Sequence, residues 1–283
     1  MPAAFLGHGS PMNTLEDNRY TAAWRAFGAS LPARPRAVLV VSAHWYLNAI
    51  AVTAMHRPRT IHDFNGFPEP LFRFQYPAPG APDVAREVAE LLQPDRVGLD
   101  EESWGLDHGA WSVLAHVFPG ADVPVLQLAV NAAMGIGEHV ALAARLAPLR
   151  RRGVLVVASG NVVHNLRRID FRRPDGAYDW ALRFDAAARE VMTRDPAGLP
   201  ALAAHADYAM SVPTPEHFLP LAYLAGLARA EGATCNVLVE GCSLGSISMT
   251  CYTLGAEVAP VTSAAGAASL PDPSIVPSED TNA

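Results

Sequence analysis

The chain has 283 residues, of which 50% are hydrophobic, and a formal net charge of -7. This composition allows a large core in one large domain or two small ones, whereas no apolar run approaches the roughly 20 residues of a membrane-spanning helix. Because the basic residues are scattered and the N-terminus lacks a signal-peptide pattern, we expect a cytoplasmic protein that binds neither nucleic acid nor membrane. The three cysteines lack metal-finger spacing and are expected to be reduced thiols.

The first predicted element is a buried strand over residues 3–6, which a Gly-His-Gly sequence follows directly. The two glycines leave the backbone little steric restriction, so His8 is presented at the end of this strand. The apolar run over residues 37–43 leads in the same way to His44. Open α/β sheets bind their ligands at the carboxyl ends of the strands. We therefore expect His8 and His44 to converge on one site.

Along the rest of the chain, apolar strands alternate with amphipathic helices, as in a mainly parallel sheet covered on both faces. The further predicted strands cover residues 49–55, 123–130, 153–159, 234–240 and 246–254. The predicted helices cover residues 17–31, 82–93, 112–118, 137–149, 178–193 and 199–204, and a last one ends near residue 230. We expect the last two strands to form a hairpin-like pair joined by a turn over residues 241–245.

This pattern predicts an α/β fold: a single domain with a central mixed, largely parallel sheet flanked by helices on both faces. From about residue 257 the composition is rich in Ala, Ser and Pro and has no periodicity. We therefore predict a folded domain over residues 1–256 and a disordered tail without a catalytic role over residues 257–283.

Five histidines lie at predicted strand or helix ends, in loops that contain glycine, proline or asparagine: His8, His44, His108, His164 and His217. Three imidazoles from separate elements can bind zinc, copper or non-haem iron and leave coordination positions open. A cysteine cluster, a phosphate-binding loop and a nucleophile elbow are absent from the sequence. A metal enzyme is therefore the leading class. The histidines at positions 56, 62, 116, 139 and 205 are assigned to surface or capping roles, although His62 beside Asp63 is kept under consideration.

Six sequence blocks carry a family resemblance. They are FLGHGSPMN (5–13), VSAHW (41–45), TIHDFNGFP (60–68), LDHGAW (106–111), ASGNVVHNL (158–166) and PTPEHFLPL (213–221). In this order they closely resemble the 4,5-DOPA extradiol dioxygenase branch of the class III extradiol ring-cleavage dioxygenases. The resemblance runs from about Pro2 to Gly255, so it implies that residues 1–256 form the catalytic domain.

The resemblance implies a non-haem Fe(II) oxidoreductase that binds a small-molecule catechol through both hydroxyl oxygens. Such an enzyme cleaves the ring next to the diol and inserts both atoms of O2. His8 and His44 match the first two metal ligands of the family, and His217 matches the third. His164 matches a histidine that acts as a further ligand or as the acid/base group, and His108 matches one that borders the substrate pocket.

The physical chemistry of imidazole agrees with this mapping. A neutral histidine accepts a proton near pH 7, so we assign the general base to His164, with Asn161 and Asn165 as orienting groups. A neighbouring carboxylate raises the pKa of a histidine, so His108 beside Asp107 is expected to hold a proton during the reaction.

Glu216 marks a departure from the better-known members of the superfamily, whose third ligand is a glutamate. The branch resemblance selects His217 instead, and Glu216 is expected near a helix N-terminus as a partner of the site or as a minor ligand candidate. An all-histidine site is also acceptable to zinc, which has no redox chemistry with O2. The expected cofactor is thus Fe(II) for activity, with Zn(II) as the alternative bound metal.

Two other functions stay open at this point. One is a zinc-dependent hydrolase or lyase, with a metal-bound water as nucleophile and His164 as its base. The other is a non-enzymatic metal-binding interaction module of the same fold. The sequence also leaves open whether the catechol carries a DOPA-like or a related side chain. The oligomeric state, monomer or homodimer, is open as well. Four aromatic residues are expected to stack on a substrate ring or to pack in the core: Phe64, Phe67, Trp104 and Trp111.

Overall fold

The computed structural model describes residues 1–259, 261 and 265–271. The strands are β1 (Ala3–Gly7), β2 (Ala37–Leu47), β3 (Ile50–Thr53), β4 (Val97–Asp100), β5 (Val125–Asn131), β6 (Val154–Gly160), β7 (Asn236–Val239), β8 (Cys242–Ser243), β9 (Ile247–Ser248) and β10 (Cys251–Leu254). The α-helices are α1 (Arg19–Ala29), α2 (Glu69–Arg73), α3 (Pro82–Leu91), α4 (His108–Val117), α5 (Ile136–Arg145), α6 (Ala147–Arg151), α7 (Asp179–Arg194), α8 (Tyr208–Ser211) and α9 (Leu219–Glu231). Short 3-10 helices cover Pro11–Leu15, Leu166–Arg168 and Pro196–Ala204.

An eight-stranded sheet forms the centre, with the strand order β4-β3-β5-β2-β6-β1-β10-β7. Its four middle strands, β5, β2, β6 and β1, are parallel, and antiparallel pairs join β3 to β5 and β10 to β1. All residues of β1 and β6 are buried, as expected for strands covered on both faces.

Side chains alternate between the two faces of the sheet, so each face carries its own hydrophobic core. From β1, Phe5 packs into one core and Leu6 packs into the other. Helices α3, α5, α7 and α9 cover the Phe5 face, and α1 and α4 cover the Leu6 face. The predicted fold class, a mixed and largely parallel sheet flanked by helices on both faces of a single α/β domain, is confirmed.

Some elements differ from the sequence-based expectation. Helix α4 begins at His108 and not at residue 112, because the Asp107 side chain caps it by accepting a hydrogen bond from the Ala110 N–H. The segment predicted as a helix over 199–204 is a 3-10 helix that contains Pro200. Strands β7 and β10 pair antiparallel as expected, but their connection contains the separate pair β8 and β9 and not a simple turn.

Part of the predicted tail falls on residues 260, 262–264 and 272–283, which lie outside the described residues. The domain boundary at residue 256 and the disorder of the tail therefore stay predictions. Residues 265–271 form neither helix nor strand, yet they contact the core. In the described chain, no helix combines the length and the apolar character that crossing a membrane requires.

Candidate metal centre

The carboxyl edge of the parallel strands gathers the histidines that the sequence singled out. His8 directly follows β1, and its N–H donates to the carbonyl of Gly160 at the end of β6. His44 lies inside β2, where the pairing register with β5 shifts between Val41 and Tyr46. Such an irregularity changes the direction in which a side chain points. The expectation of a strand end at His44 is therefore corrected to an irregular stretch within a longer strand.

The other three histidines approach this edge from loops and helix ends. His108 is the first residue of α4, on the Leu6 face of the sheet. His217 precedes α9, on the Phe5 face. His164 lies in the loop after β6, and its N–H donates to the carbonyl of Ser211. Elements from both faces of the sheet thus converge on His8 and His44.

Ring contacts connect the five imidazoles into one cluster. The Nε2 atoms of His8 and His44 are 3.2 Å apart. The ring centroid of His44 lies 3.9 Å from that of His108 and 5.0 Å from that of His217. His164 stacks on His217, with centroids 3.6 Å apart and an angle of 9° between the ring planes.

The three histidines whose ring nitrogens lie close enough to share a metal are not the three predicted ligands. His8, His44 and His108 each offer a ring nitrogen within 4.8 Å of the others, whereas the family resemblance selects His217 as the third ligand. His217 is nevertheless 5.4 Å from His8 between ring centroids. Its Nε2 is buried and has no hydrogen-bond partner among the described residues. Both sets share His8 and His44.

The Nδ1 atom of His8 has a partner that fixes the tautomer of the ring. It lies 2.9 Å from Ser159 Oγ, and the Ser159 hydroxyl donates to the carbonyl of Gly109. Ser159 Oγ therefore accepts a hydrogen bond from the Nδ1–H of His8. The lone pair of this imidazole is then on Nε2, which faces His44.

Carboxylates lie beside the Nδ1 atoms of two further rings and favour the same tautomer there. His44 Nδ1 lies 3.3 Å from Asp63 Oδ2, and His217 Nδ1 lies 3.3 Å from Glu216 Oε1. Although burial opposes it, hydrogen bonding and charge attraction from His217 lower the pKa of Glu216 to about 2, so this carboxylate accepts and His217 donates. The facing Nε2 atoms of His8 and His44 both carry lone pairs and cannot bond to each other. A cation between them would satisfy both, so these residues fit a metal.

The environment of the cluster keeps His8, His44 and His164 uncharged. Burial, and after it the neighbouring imidazoles, hold the pKa of His8 and of His164 well below the usual value. Burial and His108 have the same effect on the pKa of His44, against the attraction of Asp63. Neutral imidazole is the form that binds metals.

Asp63 contacts the cluster, although no role was predicted for it from the sequence. Its Oδ1 accepts a hydrogen bond from the His108 N–H and lies 2.9 Å from His108 Nδ1. Burial opposes the charged form of Asp63, yet His108 and His44 hold the pKa of this carboxyl well below its usual range. Asp63, and more weakly Asp107, in turn raise the pKa of His108 against the effect of burial. One carboxylate thus holds both His44 and His108.

His62, the neighbour that the sequence kept under consideration, is not part of the cluster. Its Nε2–H donates to the carbonyl of Phe74, and its ring packs against Phe64 and Trp111. The only sequence signal for Asp63 was its place beside this histidine in the block over residues 60–68.

Asp107 is fully buried behind this carboxylate. It accepts hydrogen bonds from the Ser42 hydroxyl and from the Gln127 amide. Burial and the nearby charge of Asp63 outweigh these bonds and raise the pKa of Asp107 to about 6.

Asn161 and Asn165 differ from their predicted role as orienting groups for His164. The Asn161 amide donates to the carbonyl of Ser248, and the Asn165 amide donates to the carbonyl of Met210. These bonds fix the backbone of the loop and do not reach the imidazole. The stacked ring of His217 is the contact that orients His164.

A pocket of about 490 Å³ leads to the cluster. Its lining includes the histidines His44, His164 and His217, and its outer part includes Tyr46 and the exposed Arg167. The four aromatic residues considered for ring stacking do not line it. Instead they pack among themselves and against neighbours, Trp104 on Trp45, Trp111 on Phe74, and Phe64 on Phe67.

Comparison with known proteins identifies the family to which the chain belongs. Residues 2–255 match the model of the family described as the catalytic LigB subunit of aromatic ring-opening dioxygenase. The chain is 46% identical over 259 residues to the 4,5-DOPA dioxygenase extradiol of Escherichia coli K12, covering 90% of this chain and 95% of that protein.

More distant relatives and a solved structure agree with this match. The 4,5-DOPA dioxygenase extradiol of Beta vulgaris is 35% identical over 239 residues, which cover 79% of this chain and 85% of that protein. The crystal structure of an uncharacterized protein from Escherichia coli K12 superposes with a TM-score of 0.79 at 42% identity, covering 90% of this chain and all of that one.

Proposed function

Because the chain belongs to the LigB family of aromatic ring-opening extradiol dioxygenases, we propose that it uses a metal to open a catechol ring with both atoms of O2. The observation that carries the metal dependence is the pair of Nε2 lone pairs on His8 and His44, 3.2 Å apart. The hydrogen bond between His8 Nδ1 and Ser159, and the Asp63 carboxylate 3.3 Å from His44 Nδ1, favour the tautomers with these lone pairs. Only a shared cation or proton relieves this arrangement.

We assign metal binding to His8, His44 and His217, with His164 as a further ligand or as the base. Fe(II) is the proposed cofactor for activity, since zinc has no redox chemistry with O2. When bound, iron would acidify a catechol hydroxyl and relay electrons from the catechol to O2. The buried Nε2 of His217 and the carboxylate at its Nδ1 support this assignment over a ligand role for Glu216.

His164 and His108, the two residues proposed to transfer protons, have pKa values shifted in opposite directions. His164 lines the pocket, and its lowered pKa keeps it uncharged and able to accept the second catechol proton. His108 has a raised pKa, and its buried Nε2 has no hydrogen-bond partner in the described chain. With Asp63 beside Nδ1, His108 can hold a proton at Nε2 and donate it to oxygen as the ring opens. An acid and a base with separated pKa values are what this reaction needs.

For the substrate, we propose a catechol with a carboxylate-bearing side chain, such as DOPA. The relatives named above are DOPA dioxygenases. Arg167 offers an exposed guanidinium at the outer part of the pocket, and it makes no ion pair with a described residue. A side-chain carboxylate that extends from the ring towards the pocket opening would meet this charge.

The test is anaerobic reconstitution with Fe(II), and in parallel with Zn(II), followed by oxygen-electrode and absorbance assays. We expect oxygen uptake together with a yellow ring-opened product only with iron. We also expect a lower KM for DOPA than for dopamine, which lacks the carboxylate. A fully iron-loaded protein that consumes no oxygen with any catechol of the panel would refute the proposal. If the zinc-loaded protein instead hydrolyses esters or catalyses an elimination, the chain is a zinc hydrolase or lyase. If it binds metal but turns over no substrate, it is an interaction module.

A further inference from the structure

We propose that residues 265–271, which lie outside the family match, act as a strap that holds the loop of His8 and thereby slows metal release. The family match ends at residue 255, so this segment lies outside the matched domain. The effect on metal rests on the proposed metal centre. The contact itself does not depend on it.

The strap is seated on the segment that follows β1, which we call the His8 loop (residues 8–18). Ala268 is 2% exposed, and Ala267 and Leu270 pack against the core on the Leu6 face of the sheet. Met12 of the His8 loop packs against the same core. Burial of these apolar side chains gives the segment a fixed position over the loop.

Three hydrogen bonds attach the strap along its length. The Arg19 N–H, at the start of α1, donates to the carbonyl of Ala265. The Ala268 N–H donates to Asn13 Oδ1 at 2.9 Å, and the Ser10 hydroxyl donates to the carbonyl of Ser269 at 3.2 Å. The attachments thus reach Ser10 and Asn13 within the His8 loop and Arg19 directly after it.

Asn13 connects the strap to the proposed metal ligand. Its side chain is fully buried, and its Nδ2 donates to the backbone carbonyl of His8 at 3.0 Å. Its Oδ1 accepts two hydrogen bonds, from Ala268 and from the Asn18 amide. Because the amide is planar, the groups that hold Oδ1 also set the direction of Nδ2. Two successive hydrogen bonds through Asn13 therefore connect the strap to the backbone of His8.

The His8 loop needs such support because its backbone is unusual. Gly9 follows His8 with a φ of +56°, in the left-handed region, and a Cβ at this position would collide with the Met249 side chain. Without Asn13 in place, this permissive glycine allows the His8 carbonyl, and with it the imidazole, to change direction. Supporting contacts around a metal ligand typically change metal affinity by about 10–100-fold. The strap acts through the backbone, so we expect the lower end of that range.

The first test uses two full-length variants. Ala268→Arg places a charged side chain at a buried position and should displace the strap, whereas Ser269→Arg adds the same charge at an exposed neighbour. Hydrogen exchange of the metal-free proteins should show faster exchange in residues 8–18 for Ala268→Arg only. After zinc loading, release to a chromogenic chelator should be about tenfold faster in Ala268→Arg than in the native chain or in Ser269→Arg.

A second variant tests the hydrogen bond by itself. Ala268→Pro removes the N–H that Asn13 Oδ1 accepts, and it should accelerate exchange and zinc release in the same direction. Native exchange in the His8 loop of both Ala268 variants would overturn the strap. Faster exchange with unchanged zinc release would overturn its effect on metal. Failure of the native chain to bind any metal would overturn the proposed function, while the exchange data would still decide the strap contact.

Discussion

At the scale of single residues, the site depends on polar groups that hold the outer nitrogen of each imidazole. Ser159, Asp63 and Glu216 lie at the Nδ1 atoms of His8, His44 and His217. These contacts direct Nε2 inwards and fix the tautomer before any metal arrives. Such preorganisation lowers the reorganisation that binding would otherwise require.

Asp63→Asn should weaken metal binding. An amide oxygen can accept from one imidazole, but it brings no charge and cannot serve both His44 and His108 as the carboxylate does. We expect zinc affinity to fall by about tenfold or more, measured by competition with a chelator. Asp122→Asn, which removes one exposed acidic charge far from the site, is the matched control and should bind like the native chain. Equal affinities in the two variants would show that Asp63 does not support the metal ligands.

At the scale of elements, most strands and helices were predictable from hydrophobic periodicity. The runs of β2, β5 and β6 are mostly apolar, and α7 has a buried stripe of helical period. Strand β4 was missed because its four residues are half-buried or exposed and carry no apolar run. Strands β8 and β9, with two residues each, are too short to show a period.

Asp185 connects α7 to the chain around β9, and we expect the stability of this contact to depend on pH. It accepts hydrogen bonds from the hydroxyls of Ser248 and Thr250, and burial outweighs these bonds and raises its pKa to about 6. A raised pKa means that the folded state binds this proton more tightly than the unfolded state does. The contribution of Asp185 to stability is therefore present below about pH 4, the pKa in the unfolded chain, and is lost as the pH rises to about 6.

Asp185→Asn should remove this dependence, because the amide does not titrate. The free energy of unfolding of the variant minus that of the native chain should rise between about pH 4 and pH 6, by up to about 3 kcal/mol. Urea unfolding at a series of pH values measures this difference, in which the other titrating groups cancel. Asp179→Asn, at an exposed position of the same helix, is the matched control for the loss of one acidic charge.

At the scale of the whole molecule, the cluster joins three layers. His8 and His44 come from the sheet, His108 from the helix layer on one face, and His217 from the layer on the other. The sequence indicated all five histidines, because each follows an apolar run or lies near glycine, proline or asparagine. It could not indicate Asp63, since the path of the loop over residues 54–68 is set by tertiary contacts such as the Asp63–His108 bond and not by a local pattern.

A metal that spans these layers should stabilise the whole fold. Free metal at about 1,000 times its dissociation constant stabilises the folded state by about 4 kcal/mol, which corresponds to about 10 °C in Tm for a chain of this size. Thermal unfolding with saturating Zn(II), and again after chelation, measures the shift. His44→Ala should unfold at the same temperature in both conditions. A metal-independent Tm in the native chain would show that the folded protein binds no metal, and an equal shift in His44→Ala would place the cation outside this centre.

The order of the histidines along the chain has a consequence for biosynthesis. The proposed ligands run from position 8 to position 217, so a growing polypeptide lacks the complete proposed set until residue 217 has been added. An emerging chain therefore presents isolated imidazoles, which have little means of capturing a stray copper or zinc ion. We expect metal to be acquired only after the two helix layers have closed on the sheet, when the cell's free-metal pools and the finished geometry decide which ion enters.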